Sequence, residues 1–308
     1  MRAVAESALA VRPDAFGLRD VISEYFAALK VAGRSPKTIG WYGDILWEFT
    51  RFVERNGERA TVADLAPVVV RRWILALQSR QTRSLAPSSI AARVRTLRAF
   101  GTWVAAELDL PANPVRGVPV PRVPDQLVPS LRDAEVLALL RALDSGTQQV
   151  ARDRAIMLLL LDTGLRLSEA AGVRVRDVGL VEGRCRVMGK GSRERVVPVG
   201  RKTRRAIRHW LAQRGTVGPS DALFVGRGNQ PLRPRGIQQV VRRLSVRAGL
   251  ASGCSPHVLR HTFARSFLTN GGDVFSLQRI LGHSPSSLQV TRRYVDLLDD
   301  DLRAIHRQ

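Results

Sequence analysis

The stretch CSPHVLRHTFARSFLTNGGDVFSLQRILGHSPSSLQVTRRY, running from Cys254 to Tyr294, decides how this chain is read. It holds three of the five histidines, five arginines and the last of only three tyrosines. Between these polar residues, Val258, Leu259, Phe263, Phe267 and Leu268 recur at helical spacing. The segment therefore reads as two or three packed helices carrying reactive groups on one side. A hydrophobic scaffold dressed with His, Arg and Tyr is suited to holding an anion.

The rest of the composition narrows the anion to a polyanion. The chain has 308 residues, enough for two domains, and a formal net charge of +22 spread along its length. A folded protein this basic fits nucleic acid, because each neutralised phosphate releases counterions. Bias in the coding sequence explains why only four of the 49 basic residues are lysine, but not the excess of positive charge. Aromatic content of 6% argues against a base-stacking sheet as the main device. No apolar run approaches the roughly 20 residues needed to span a bilayer. The first residues do not form a signal peptide, since Glu6 and Arg12 interrupt them. Two cysteines give no disulfide framework, and the expected compartment is the cytoplasm.

The N-terminal third reads as helices only. Leu18, Val21, Ile22, Tyr25, Phe26 and Leu29 fall at three- and four-residue steps. Ser35 and Pro36 restart a helix as N-cap and first helical residue, with Ile39, Tyr42, Ile45, Leu46, Phe49 and Phe52 on one face. A third helix runs from Pro67, and a fourth turns Ile90, Val94, Leu97, Phe100 and Val104 inward. Basic and hydroxyl residues gather near two helix starts: Arg34, Ser35, Lys37 and Thr38 at one, Arg93, Arg95 and Arg98 at the other. Helix N-termini favour phosphate, so these are the candidate contacts of this domain to a nucleic-acid backbone. After a proline-rich stretch (113–129) read as an extended linker, Ser130 is expected to cap a helix from Asp133. An almost wholly apolar, buried helix follows, and then the short helix LRLSEAAGV. The runs VRVRDVGL, GRCRVMG and RERVVPV read as a three-stranded antiparallel sheet, with Lys190 in its glycine-flanked second turn. The expected division is an N-terminal extension (1–17), a helical domain (18–112), the linker (113–129) and a second domain (130–308). The fold class is mainly α with a small antiparallel β-sheet.

Five motifs, TGLRLSEAAGV, GKGSRERVVPV, HVLRHTFA, LGHS and TRRYV, occur in that order. With the helical N-terminal module they resemble the tyrosine recombinases of the phage-integrase superfamily. The resemblance covers nearly the whole chain from Leu18. It implies a SAM-like core-binding domain followed by an α+β catalytic domain. It also implies catalytic residues Arg166, Lys190, His257, Arg260, His283 and Tyr294. The arginines and His257 would hold a scissile phosphate, whose oxygens gain charge in the transition state and suit planar guanidinium donors. Lys190 would protonate the departing 5′-oxygen, which an arginine cannot do. His283 would donate a hydrogen bond, and Tyr294 would attack, leaving a 3′-phosphotyrosyl link. Glu169 and His261 are supporting residues. Eleven positions separate His283 from Tyr294, two more than is common in the family.

The implied reaction needs no cofactor and no metal. A zinc site made of Cys254, His257, His261 and His283 is the competing reading of the opening stretch. Arg260 and Arg265 would repel a dication there, so no metal is expected. The implied partner is double-stranded DNA with inverted-repeat core sites, bound by a homodimer at each site and a homotetramer in synapsis. An accessory protein could set direction, and no membrane partner is expected. Leu297, Leu298, Leu302 and Ile305 form an amphipathic tail, which the resemblance assigns to docking on a neighbouring subunit. The TRRYVDL terminus tilts the reading towards a mobile-element recombinase rather than an Xer-type chromosome-dimer resolvase. A type IB-like topoisomerase shares the chemistry and is a further alternative.

Overall fold

The computed structural model describes residues 12–79, 85–124, 129–143, 147–189, 193–250 and 253–282. Two compact units divide between Asp125 and Gln126. In the first, α1 (Leu18–Val31), α2 (Pro36–Val53), α3 (Pro67–Gln78) and α4 (Pro87–Glu107) surround one core. Leu18, Val21, Ile22, Tyr25 and Leu29 bury the inward stripe of α1. Ser35 caps α2, its side chain accepting from the Thr38 N–H at 3.2 Å. Phe49 and Trp73 meet edge to face at 5.2 Å, joining α2 to α3. Tyr25 stacks on Tyr42 at 6.1 Å. Burial pushes the Tyr25 phenol up to about 12, which keeps it protonated and inert.

The linker assignment meets a different chain path at its start. Residues 113–118 are not extended but turn back onto α4. Asn113 Nδ2 donates to Arg98 O and to Thr102 Oγ1, each at 2.9 Å, and its Oδ1 accepts from the Val115 N–H at 2.8 Å. Arg98 Nη2 donates to Val118 O at 2.6 Å, and Val115 and Val118 lie fully buried in the first core. Gly101 makes the close approach possible, because a Cβ there would collide with the Asn113 side chain. Proline removes N–H donors from this stretch, but Asn113 and Arg98 supply the missing hydrogen bonds from side chains.

The second unit holds α5 (Asp133–Arg141), α6 (Gln148–Thr163), α7 (Leu167–Gly172), β1 (Val178–Gly179), β2 (Arg184–Met188) and β3 (Glu194–Pro198). Then come α8 (Arg201–Arg214), α9 (Pro234–Arg247), α10 (Pro256–Thr269) and α11 (Val274–Leu281). The sheet is antiparallel in the order β1-β2-β3. Helix α6 packs against α8, α9 and α10, burying Ala151, Ala155, Ile156, Met157, Leu159 and Leu160. Its one buried acid, Asp153, accepts from Arg152 Nε and Nη2 at 2.9 and 2.8 Å and pairs with Arg243 of α9.

Two local expectations need correction. The N-cap of α5 is Arg132, not Ser130, and Glu135 reaches back to the Arg132 N–H at 2.8 Å. The acid three residues into the helix supplies the capping bond, so no hydroxyl is required. The first strand is only Val178–Gly179, because residues 175–177 form a 3-10 turn in which Asp177 accepts from the Arg174 N–H.

Candidate active site

Four elements of the second unit converge at the C-terminal end of α11. Helix α6 stops at Gly164, whose left-handed backbone (φ +59) lets the chain reverse against Phe263 and Leu281. The reversal places Arg166 as the N-cap of α7. Glu169 then reaches back, accepting from the Arg166 N–H at 2.8 Å and from Arg166 Nη1 at 2.9 Å. Arg166 Nη2 donates to Gly282 O at 3.3 Å. From α10 comes Arg260, 3% exposed, donating Nη1 to Gly164 O at 2.7 Å and Nη2 to Leu281 O at 2.8 Å.

The third arginine here is Arg195 on β3, which the sequence reading did not single out. Its Nη1 and Nη2 bond the two oxygens of Glu169 at 2.8 Å each, and its Nε donates to Ile280 O at 2.8 Å. Three arginines from three elements thus meet three consecutive carbonyls, Ile280, Leu281 and Gly282. These are helix-end carbonyls with no intrahelical partner, at the negative end of the helix dipole, so cations are the natural cap. The signal for Arg195 lay in the strand alternation. It pairs with buried Val187 across the sheet, and Val197 two residues on is also buried, so Arg195 shares the inward face.

Glu169 is buried at 6% exposure. Burial opposes its ionisation, but the Arg195 fork, the Arg166 N–H and the Arg166 guanidinium outweigh it and hold the carboxyl at about 2. It is a permanent anion with both oxygens engaged, so it orients arginines and does not move protons. His257 stands exposed on the first turn of α10, its ring 5.0 Å from that of His261 and edge-on to it. Partial burial, then the charges of Arg260 and Arg166, lower its pKa below the ordinary value. The imidazole is therefore neutral near pH 7, and binding an anion would reverse part of that depression.

Of the expected catalytic residues, Arg166, His257 and Arg260 are brought together, with Glu169 and His261 beside them. Lys190, His283 and Tyr294 lie outside the described residues. The neighbours of two of them are placed. Gly189 closes the hairpin by donating to Arg193 O at 2.8 Å, and a Cβ built on it would stand 4.0 Å from Glu169 Oε1. Gly282 (φ +64) carries the carbonyl that Arg166 holds. No cluster of three or more potential metal ligands occurs among the described residues.

In the first unit, Arg34, Lys37 and Arg95 are exposed, while Ser35 and Thr38 bond each other at the α2 cap. Arg93 and Arg98 are occupied internally: Arg93 Nε pairs with Glu48 at 2.8 Å, and Arg98 holds the 113–118 turn.

Residues 129–300 match the phage integrase family, and residues 22–107 match the phage integrase N-terminal SAM-like domain. The chain is a tyrosine recombinase of the phage integrase family. It is therefore a site-specific DNA recombinase. Tyrosine recombinase XerC of Escherichia coli O139:H28 (strain E24377A / ETEC) is 33% identical, the match covering 92% of this chain and 94% of the relative. A crystal structure of XerA recombinase is 27% identical over 94% of this chain and 98% of its own, with a TM-score of 0.53. The same fold recurs in a lambda integrase tetramer bound to a Holliday junction, at 18% identity and a TM-score of 0.70, covering 92% of this chain and 82% of that one. As in other family members, the recombinase pairs an N-terminal SAM-like domain with a mostly helical catalytic domain bearing a small antiparallel sheet. No helix among its described residues is long and apolar enough to cross a membrane.

Proposed function

We propose that this recombinase cuts and rejoins DNA through Tyr294, with Arg166, His257 and Arg260 holding the scissile phosphate. The Tyr294 oxygen attacks phosphorus, the bond from phosphorus to the 5′-oxygen breaks, and the phenol proton leaves to an acceptor. Lys190 gives a proton to the departing 5′-oxygen, and His283 donates a hydrogen bond to the phosphate. The 3′-phosphotyrosyl link conserves the bond energy, so a 5′-hydroxyl from a partner strand can reverse the step and complete strand exchange. The observation that carries this reading is the convergence of Arg166, Arg260 and His257. They set two guanidinium cations and a neutral imidazole on a buried, fixed scaffold, as transition-state stabilisation requires. Exposed Arg34, Lys37 and Arg95 of the first unit are proposed to grip the DNA backbone. Two dimers, one on each inverted-repeat site, would form the synaptic tetramer, a reading supported by the tetrameric assembly named for lambda integrase.

The biological role has two readings, a mobile-element recombinase and an Xer-type resolvase. The relatives named XerC, 33% identical over 92% of the chain, favour the second. The chemical proposal is tested with duplexes selected by the protein from a random-sequence pool and then nicked beside the cleavage point. A covalent protein–DNA adduct is expected from wild type and absent from Tyr294→Phe. An adduct that persists in Tyr294→Phe would move the nucleophile elsewhere. Relaxation of supercoils without strand exchange would favour the topoisomerase-like alternative.

A further inference from the structure

We propose that Arg195 is a positioning residue for strand cleavage: it fixes Glu169 to the last turn of α11 and so sets the place of the phosphate-binding Arg166. The inference rests on the cleavage chemistry proposed above and adds a residue to it.

The geometry separates Arg195 from Arg166. All three of its guanidinium nitrogens are engaged inside the protein, two by Glu169 and one by Ile280 O. Its side chain is 14% exposed, against 37% for Arg166. It is not free to meet a phosphate, whereas Arg166 stands at the edge of the site. What Arg195 touches is what Arg166 also touches. Glu169 Oε1 accepts from both guanidinium groups, and the α11 end receives Arg195 at Ile280 and Arg166 at Gly282. Arg166 is thus held at two points, Glu169 and Gly282, and Arg195 spans both anchors.

The packing leaves little slack. A Cβ added at Gly282 would lie 2.9 to 3.1 Å from the guanidinium of Arg195, so the helix end closes directly over that side chain. A lysine at 195 could make one of these bonds but cannot fork across a carboxylate and also reach a carbonyl. Loss of the fork would leave buried Glu169 with Arg166 as its remaining guanidinium partner. Arg166 would then be drawn inward, away from the substrate.

The test uses the full-length protein with Arg195→Lys and Arg195→Ala, each first checked by thermal unfolding. Should Arg195→Ala not fold, Arg195→Lys carries both measurements. In single-turnover cleavage of the nicked duplex at saturating protein, the rate is expected to fall on the order of 100-fold, as for a displacement of about 1 Å. The Kd for the same duplex stays within about twofold of wild type, since phosphate charge is retained elsewhere. Glu169→Gln combined with Arg195→Lys should lose no more than the worse single variant, because the two act as one unit. The second measurement needs no activity. The NMR titration of the His257 ring is expected to shift in Arg195→Lys, because His257 senses the charge of Arg166.

An unchanged cleavage rate would overturn the proposal, as would a loss confined to Kd or a double variant that multiplies the single effects. An unmoved His257 titration overturns it too, even if wild type forms no adduct. Absence of the wild-type adduct alone would instead count against the cleavage reading.

Discussion

Arg195 and Glu169 meet fork to fork, with two N–H···O bonds of 2.8 Å in a setting where the carboxylate is 6% exposed. Because the Glu169 carboxyl is held at about 2, against 4.5 for a free glutamate, ionised Glu169 stabilises the fold at neutral pH. The folded pKa lies below the unfolded one, so this contribution is complete above about pH 5 and is lost as pH falls towards 2. Its size is at most about 3 kcal/mol, from the 1.36 kcal/mol per pKa unit of linkage. Urea unfolding followed from pH 7 to 3 should show stability falling in that window. Glu169→Gln should be less stable at pH 7 and lose less on acidification.

His257 titrates with the opposite bias from a histidine beside an acid. Its partial burial and the nearby Arg260 and Arg166 lower its folded pKa, so the unfolded state binds the proton more readily. The neutral ring is tolerated fully above the unfolded value near 6.5, and protonation destabilises the fold as pH falls below it. NMR of the ring protons should give a midpoint below 6.5 in the free protein. DNA binding should raise that midpoint by adding phosphate charge. A midpoint that does not move with DNA would place His257 away from the phosphate.

The left-handed glycine at 164 sets where α7 begins. At φ +59 an L side chain is strained, and a Cβ would also enter the Phe263 ring and the Leu281 side chain. Gly164→Ala should cost about 1–3 kcal/mol in urea unfolding, from backbone strain and overpacking together. It should also slow cleavage, since Gly164 O is an anchor of Arg260.

Basic residues of the first unit divide by occupation. Arg98→Met strips the hydrogen bond from Val118 O, and should lower stability by about 1–3 kcal/mol for a buried acceptor left unpaired. Arg34→Gln and Lys37→Gln leave stability within about 0.5 kcal/mol. They should instead weaken DNA binding and reduce the slope of affinity against salt by about one each. The comparison is made by denaturant unfolding and by fluorescence anisotropy on the selected duplex at several salt concentrations.

Much of this was legible in the sequence where one residue decides one feature. Ser35-Pro36 placed the start of α2, and the apolar steps of α4 named its buried face, because local spacing fixes both. Long-range side-chain bonds were not legible. Arg93 looked like a phosphate contact but pairs with Glu48, 45 positions earlier. Arg98 looked the same, yet holds carbonyls 18 and 20 positions later. The linker hid its first turn for a related reason: Asn113 and Arg98 replace the donors that its prolines lack. Arg166, His257 and Arg260 could be grouped only through resemblance, since no spacing along the chain announces that α7 and α10 meet at the end of α11. Arg195 was within reach of the two-residue alternation, but its charge hid it among the many arginines of the hairpin.

The arginines that bond backbone carbonyls change what the charge of +22 means to DNA. Arg98, Arg152, Arg195, Arg204 and Arg214 all spend guanidinium donors on main-chain oxygens within the fold. Such side chains work as crosslinks between distant segments, a task for which lysine lacks the planar fork. They hold loops and helix ends in place but displace no counterions from a duplex. Affinity for DNA will therefore respond to salt as that of a protein with fewer cations than this one carries. The arginine richness of the chain is in part an internal architecture, and only in part a nucleic-acid surface.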